Sequence, residues 1–300
     1  MQKRTRGIPV LVNLDLRHLG EAYLRERLPQ IYELAEEFMG IDPAHECIPV
    51  LPGVHYTMGG ILADGKTASS LPGLYSVGEC SSVGIHGANR LGSNSLTELI
   101  VFGKVAGVEA VKFAKSVAIS NPGAIQKQAE AAQARALGLV GKPGGTERLA
   151  VLRDEMAKSM ESGCGIYRLG TTMQATCDKI DELRQRYKNL KLEDKSKVYN
   201  TEWLLGIELG YLLEVAQAVV CSAISRKESR GSHQRLDGFG ERDDVNYLKH
   251  SLAYYAGDGP PRIEYGDVKI TKSKPATRAY GEAGVKAEAE KHKHEGAGNG

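Results

Sequence analysis

The feature that most constrains the fold is a long apolar run, "WLLGIELGYLLEVAQAVVCSAI", from Trp203 to Ile224. The run is long enough to cross a membrane, but it contains Glu208, Glu214 and Gln217. An acid near the bilayer centre costs about 2.5–3.5 kcal/mol on insertion scales, and two of them are hard to offset. The run therefore predicts a long buried helix of a soluble protein and no transmembrane segment.

The residues around this run predict a helical domain from 116 to 230. Thr201 is expected to cap the start of the long helix, and Gly231 is expected to follow its last turn. A second set of apolar residues recurs at steps of three and four, which is typical of a helix that packs into a bundle core. This apolar stripe consists of Met173, Cys177, Ile180, Leu183 and Tyr187.

The other parts of the chain predict a mixture of strands and helices. Residues 8–16 predict a strand, and residues 19–40 predict a helix that is interrupted near Pro29. Residues 51–115 alternate short strands with glycine turns before they enter a long helix. A further strand is predicted at 262–270, within a mixed C-terminal part.

The composition excludes some partners and compartments. The chain has 39 basic and 37 acidic side chains, so it has no strong field for nucleic acid, and aromatic residues make up only 6% of it. Its five cysteines form no C-x-x-C pair, which fits a reducing compartment. The basic N-terminus lacks the apolar core of a signal peptide. Residues 281–300 have little to bury and predict a disordered tail.

The stretch "GLYSVGECSSVGIHGANRLGSNSLTEL", residues 73–99, has the form of a ligand-binding loop. Residues 73–79 predict a buried strand that ends at Glu79, where dinucleotide folds commonly bind ribose hydroxyls. Glycines in the following loop let backbone N–H groups approach a ligand, and a helix from Ser95 onward directs its positive dipole end there. A reduced flavin or a phosphate fits equally well, and Glu79 taken alone is more often a capping or salt-bridged acid.

Two basic side chains complete the pattern. Arg90 lies in the loop, and its planar guanidinium suits bidentate capture of a carboxylate. His55 follows a proline-bounded turn and precedes a glycine pair, a position that suits a loop at a cleft. Together they predict a clamp for a dicarboxylate, although either residue alone is more often structural.

These motifs occur in an order along nearly the whole chain that resembles the flavoproteins of the fumarate reductase and succinate dehydrogenase family. The matching segments are "LDLRHLGEAYLRERLP", "HYTMGGI", "GLYSVGECSSVG", "HGANRLGSNSL", "VFGKVAG", "RDEM", "GCGIYR", "RKESRGSHQRLD", "ERDDVNYLKH" and "YGDVKIT". The serines of "GECSSVG" resemble fumarate reductases more than succinate dehydrogenases, in which alanines are expected after the acid. L-Aspartate oxidase shares the histidine and "HGANR" elements but resembles the C-terminal third less.

The resemblance implies an α/β plus α architecture that matches the C-terminal half of family members. Residues 1–50 would end a capping domain, 51–115 would be the returning segment of an α/β FAD-binding domain, 116–230 a helical bundle domain and 231–280 a small mixed C-terminal domain. The G-x-G-x-x-G turn that holds the FAD pyrophosphate in the family does not occur in the sequence. We therefore expect the N-terminal half to be missing and the chain alone to be inactive.

The resemblance assigns binding roles to five residues. His55 and Arg90 match the ligands of the substrate carboxylates. Glu79 matches the FAD-binding acid, and Ser95 with Leu96 matches the turn whose backbone meets the flavin ring. No residue matches the family's proton-donor arginine, so we expect no catalytic residue and no metal site in this chain.

Other residues near these motifs are expected to be structural. His86 is assigned to packing or to hydrogen bonding within the loop, and Cys80 is expected to be buried beside the site. Ser232, His233 and Asp237 could suggest a hydrolase. A local run of such residues without a nucleophile elbow argues strongly against that reading.

The resemblance also implies partners. Fumarate and succinate would be the substrates, and an iron–sulfur subunit would deliver electrons to FAD for anaerobic respiration. Through that subunit, membrane-anchor subunits would hold the protein peripherally at the cytoplasmic face of the inner membrane. Succinate dehydrogenase and L-aspartate oxidase are alternatives of the same class. A non-catalytic remnant, which keeps only the surface for the iron–sulfur subunit, is an alternative of a different class.

Overall fold

The fold is predominantly helical, and its short strands pair two at a time within the described residues. The computed structural model describes residues 11–51, 53–118, 121–141 and 144–271. The tail predicted to be disordered, 281–300, lies outside these residues, as do the first ten residues of the chain.

The N-terminal part contains two helices between two antiparallel strands. The elements are β1 (Val12–Leu14), a 3-10 turn (Arg17–Leu19), α1 (Glu21–Arg27), α2 (Pro29–Met39) and β2 (Ile48–Val50). The helical run breaks before Pro29 because proline has no N–H to donate and its ring clashes with the preceding turn. The interruption is therefore confirmed, and the strand predicted at 8–16 is confirmed over Val12–Leu14, with residues 8–10 outside the described residues.

The middle part carries the predicted ligand loop. Strands β3 (Ile61–Leu62) and β4 (Ser81–Ser82) pair in parallel, and helix α3 (Asn94–Ser116) follows the loop. The helix predicted from Ser95 onward is thus confirmed, with its start one residue earlier. The loop at residues 83–93 therefore lies between strand β4 and the N-terminus of α3.

The strand predicted at 73–79 is wrong. In that stretch, Tyr75 forms an isolated bridge with Ala68, and no longer ladder includes these residues. Gly73 and Gly78 have φ angles of +85° and +81°, which bend the chain away from the extended conformation. The strand forms two residues beyond Glu79 instead, so the acid lies in a turn before β4.

Four long helices and two short parallel strand pairs form the helical part. The elements are α4 (Pro122–Gly141), β5 (Glu147–Arg148), α5 (Leu149–Cys164), β6 (Tyr167–Arg168), α6 (Gly170–Tyr187), β7 (Leu190–Lys191), α7 (Thr201–Ser225) and β8 (Gln234–Arg235). Strand β5 pairs with β7, and β6 pairs with β8. The apolar stripe of α6 is confirmed. Met173, Cys177, Ile180 and Leu183 are buried, and Tyr187 packs against the core.

Helix α7 is buried on one face and exposed on the other. Leu209, Leu213 and Val220 are fully buried, whereas Tyr211 and Val215 are exposed. Among the described residues, α7 is the one helix that meets the length and apolarity of a membrane span. The prediction of a core helix is confirmed for its inner face, which packs against α5 and α6.

The polar contacts of α7 fit this packing and correct its predicted ends. The buried side chain of Gln217 donates a hydrogen bond to Asp181 of α6. Asn200, and not Thr201, caps the helix, since its side-chain oxygen accepts the N–H of Trp203 at 2.7 Å. The helix ends at Ser225, well before Gly231.

The C-terminal part is a short helix and a hairpin. Helix α8 (Asp244–Tyr247) is followed by β9 (Lys249–Tyr254) and β10 (Arg262–Asp267), which pair antiparallel. The strand predicted at 262–270 is confirmed over most of its length. Arg226, at the end of α7, donates to the carbonyl oxygens of Tyr247 and Lys249 and so ties this part to the bundle.

We expect Leu209→Ala to lower the free energy of unfolding by about 2–5 kcal/mol, because the substitution leaves a cavity in the core of α5, α6 and α7. Leu212→Ala is the matched control on the same helix, since Leu212 is 42% exposed and should cost less than about 1 kcal/mol. Urea denaturation followed by far-UV circular dichroism measures both. Equal losses in the two variants would contradict this description of the core.

Candidate functional site

The N-terminus of α3 ends the ligand loop and presents unpaired backbone donors. Ser93 has a φ of +64°, and its side chain forms no cap hydrogen bond. The first four N–H groups of a helix have no partner within the helix, so those of Ser95 and Leu96 belong to this donor set. Together with the helix dipole, they favour an anionic group at this end of α3.

Glu79 lies in the turn before β4 and is exposed. Its Oε1 accepts a hydrogen bond from the backbone N–H of Thr57 at 2.9 Å. A carboxylate offers about four acceptor positions, so this contact leaves capacity for hydroxyl donors. The two segments meet because Gly60 allows it: a Cβ there would lie 2.4 Å from the carbonyl oxygen of Cys80.

Arg90 lies in the loop, half-buried, and forms no ion pair within the described residues. Its Cζ stands 4.4 Å from the centre of the Tyr56 ring, a cation–π contact. Its Nη1 donates to the carbonyl oxygen of Leu91 at 3.1 Å, and its buried Nε has no partner there. The positive charge is thus held in place without a neutralising carboxylate.

A buried polar cluster lies beside Arg90. The Nε2 of His86 is 2.5 Å from Oε2 of Glu98, whose side chain is 2% exposed. The hydroxyl of Tyr56 donates to the same oxygen at 3.3 Å, and its ring meets the His86 ring edge-on. Burial raises the pKa of Tyr56, so the hydroxyl keeps its proton. The packing predicted for His86 is found in this contact with Tyr56, whereas its hydrogen bond goes to α3 and not to the loop.

The structure connects the predicted residues through the segment that follows His55. Tyr56 contacts Arg90, and Thr57 contacts Glu79, so two neighbouring residues contact both the arginine and the acid. His55 itself is exposed, and no hydrogen bond or ion pair joins it to Arg90 within the described residues. The acid and the arginine are thus brought to one place, and the histidine adjoins it.

The sequence reasoning missed Tyr56 and Glu98. Glu98 is the first acid of α3 and lies in its second turn, and a buried acid of this kind requires a partner. Tyr56 offers no signal beyond its position next to His55. Cys80 was expected to be buried and is exposed, because the turn before β4 carries it outward; its Sγ lies 3.4 Å from the carbonyl oxygen of Val77.

Ser232, His233 and Asp237 form no catalytic arrangement. The hydroxyl of Ser232 donates to the carbonyl oxygen of Ala88, and Asp237 pairs with Arg235 at 2.6 Å. The Nδ1 of His233 accepts from Arg168 at 2.9 Å, so Nε2 carries the proton and donates to the carbonyl oxygen of Arg226. The rejection of a hydrolase is consistent with these separate contacts.

Two family models match the chain. One is described as "FAD binding domain" and matches residues 2–96, and the other is described as "Fumarate reductase flavoprotein C-term" and matches residues 153–280. The fumarate reductase flavoprotein subunit of Haemophilus influenzae is 56% identical over 279 residues, which are 93% of this chain and 46% of that protein. The chain belongs to the fumarate reductase and succinate dehydrogenase flavoprotein family.

Other members of this family agree in sequence and in fold. The succinate dehydrogenase flavoprotein subunit of Coxiella burnetii is 41% identical over 83% of this chain and 43% of its own length. A solved FrdA chain of Escherichia coli quinol fumarate reductase has a TM-score of 0.85 and 55% identity, over 90% of this chain and 46% of that chain. The chain therefore spans about half the length of the family members that it matches.

The environment of His233 predicts that the folded protein becomes less stable at acidic pH. Burial lowers the pKa of His233 from 6.5 to about 4, with Arg168 as a further cause. Between these two values the unfolded chain binds more protons than the folded chain, so stability falls as the pH falls through this window. The loss attributable to this residue is up to about 3 kcal/mol.

We expect His233→Gln to lose less stability than the wild type as the pH falls from 6.5 to 4. The glutamine amide can replace both hydrogen bonds of the imidazole without binding a proton. Urea unfolding at a series of pH values between 4 and 6.5 measures the difference. Parallel pH profiles for the two proteins would show that another group is responsible.

Proposed function

We propose that this chain supplies one side of the active site of a fumarate reductase flavoprotein, which interconverts fumarate and succinate with FAD. The observation that carries the proposal is the half-buried Arg90, which has no carboxylate partner among the described residues and adjoins the N-terminus of α3. The 56% identity to a fumarate reductase, against 41% to a succinate dehydrogenase, supports a fumarate reductase over the succinate dehydrogenase alternative.

The residues at the start of α3 fit a flavin. Backbone donors at Ser95 and Leu96 would meet the electron-rich edge of the ring, and the helix dipole favours negative charge there. The carboxylate of Glu79 would accept hydrogen bonds from ribose hydroxyls, because its position in a turn leaves it exposed. When bound, FAD supplies the hydride chemistry of the reaction.

Arg90 and His55 would bind the substrate carboxylates. Arg90 offers a planar pair of donors, and the Tyr56 ring fixes the guanidinium so that little side-chain entropy is lost on binding. A fixed positive charge favours the negative charge that develops on the substrate during hydride transfer. We assign no proton donor and no metal ligand to this chain.

The wider assembly follows from the same family. Residues 1–50 would belong to a capping domain, 51–115 to the FAD-binding domain, 116–230 to a helical domain and 231–280 to a C-terminal domain. An iron–sulfur subunit would pass electrons to FAD, and membrane-anchor subunits would hold the complex peripherally at the cytoplasmic face of the inner membrane. A solved relative described as quinol–fumarate reductase with menaquinol molecules supports a quinol as the electron source.

A chimera tests the proposal. The chain is fused behind the first half of the Haemophilus influenzae flavoprotein, and fumarate-dependent oxidation of a reduced dye is measured. We expect turnover in the chimera and at least a hundredfold loss, about 2.7 kcal/mol or more, in Arg90→Lys, because lysine keeps the charge but loses the planar donor pair.

The exposed Arg135→Lys on α4 serves as the matched control and should retain activity. Flavin content should be unchanged in both variants. Near-normal turnover in Arg90→Lys would rule out the clamp. A colourless and inactive chimera that is nevertheless folded would favour the non-catalytic alternative.

Glu79→Gln tests the flavin contact separately. We expect weaker FAD retention, by about tenfold to a hundredfold, because a charge-assisted hydrogen bond contributes about 1.5–3 kcal/mol. Fumarate affinity should change little. Flavin absorbance after gel filtration of the chimera measures retention, and a loss of fumarate affinity with unaltered flavin content would contradict the ribose assignment.

A further inference from the structure

The loop that carries Arg90 approaches residues beyond α7 at two points, at Ala88 near its middle and at Gly84 near its start. The carbonyl oxygen of Ala88 accepts the backbone N–H of Ser232 and also its hydroxyl, each at 3.0 Å. Near the start of the loop, a Cβ on Gly84 would lie 3.4 Å from the His250 ring. Two hydrogen bonds on one carbonyl oxygen fill both of its acceptor positions.

The close approach of Ser232 to Ala88 requires a glycine at position 231. Gly231 has a φ of +56°, and a Cβ there would lie 2.4 Å from the Ala88 carbonyl oxygen. A side chain would therefore push the two backbones apart and break both hydrogen bonds. The contact is a close backbone fit and does not depend on a flexible side chain alone.

The segment that holds Ala88 is itself firmly anchored. The fully buried carboxylate of Glu228 receives the guanidinium groups of Arg226 and Arg230 and the backbone N–H of Asp243. The hydroxyl of Ser229 donates to the Phe239 carbonyl oxygen at 2.8 Å. A buried network of this kind is stable only when each member is satisfied, so it provides a rigid support.

We propose that Ser232 is a positioning residue for Arg90. By holding the Ala88 carbonyl, it fixes the backbone two residues before Arg90 and so keeps the guanidinium over the Tyr56 ring. The C-terminal part then determines how well the loop is ordered before a dicarboxylate binds. The choice of dicarboxylate as ligand rests on the proposed function, whereas the contact between Ser232 and Ala88 does not.

Ser232→Ala removes one hydrogen bond and keeps the backbone N–H contact, so the fold should persist. Hydrogen exchange of the amides at 84–91 is measured on the full chain, and calorimetric titration with succinate is measured on the chimera, which has both sides of the site. We expect loop exchange to become about two- to tenfold faster and succinate affinity to fall by a similar factor, with exchange in α5, α6 and α7 unchanged. Ser232→Thr keeps the hydroxyl and should restore both values.

Ser225→Ala is the matched control, because the hydroxyl of Ser225 also donates to a backbone carbonyl oxygen, that of Cys221, away from the loop. Unchanged loop exchange in Ser232→Ala would overturn the proposal, as would equal acceleration in the control. Faster loop exchange without a loss of affinity, when the chimera with unsubstituted Ser232 binds succinate, would also overturn it. A chimera with unsubstituted Ser232 that does not bind succinate contradicts the proposed function, and loop exchange alone then decides the role of Ser232.

Discussion

The candidate site depends on the close approach of two backbone segments at Gly60 and Cys80. The N–H of Ile61 donates to the carbonyl oxygen of Cys80 at 2.8 Å, and the parallel pair β3–β4 continues from this point. Any side chain at position 60 would collide with that carbonyl. Because glycine has no side chain, the two backbones can approach at position 60. Thr57 then lies against Glu79, and Tyr56 lies against Arg90.

The polar groups of the site divide into a hydrogen-bonded buried pair and an arginine that has no carboxylate partner among the described residues. His86 and Glu98 satisfy each other in the interior, with the Tyr56 hydroxyl as a further donor. Arg186 and Arg230, by contrast with Arg90, each pair with two or more carboxylates. Stacking on an aromatic ring is the contact that orients a guanidinium without neutralising it, and this leaves Arg90 free to attract an anion.

The sequence predicts those features that depend on neighbouring residues. The helical stripe of α6, the break before Pro29 and the start of α3 follow from periodicity and from local steric rules. The strand at 73–79 was wrong because glycine permits an extended conformation without imposing it. Tyr56 and Glu98 could not be found in this way, because they meet across 42 positions of sequence and no local pattern records such a contact.

The contact between Ala88 and Ser232 also has a consequence for the order of synthesis. The two residues are separated by 144 positions, so the loop emerges from the ribosome long before its support exists. At typical elongation rates the interval is about 7–30 s, much longer than the folding time of a small domain. Until residue 232 has been synthesised, the arginine-bearing loop lacks both hydrogen bonds at Ala88, so this part of the binding surface is completed late.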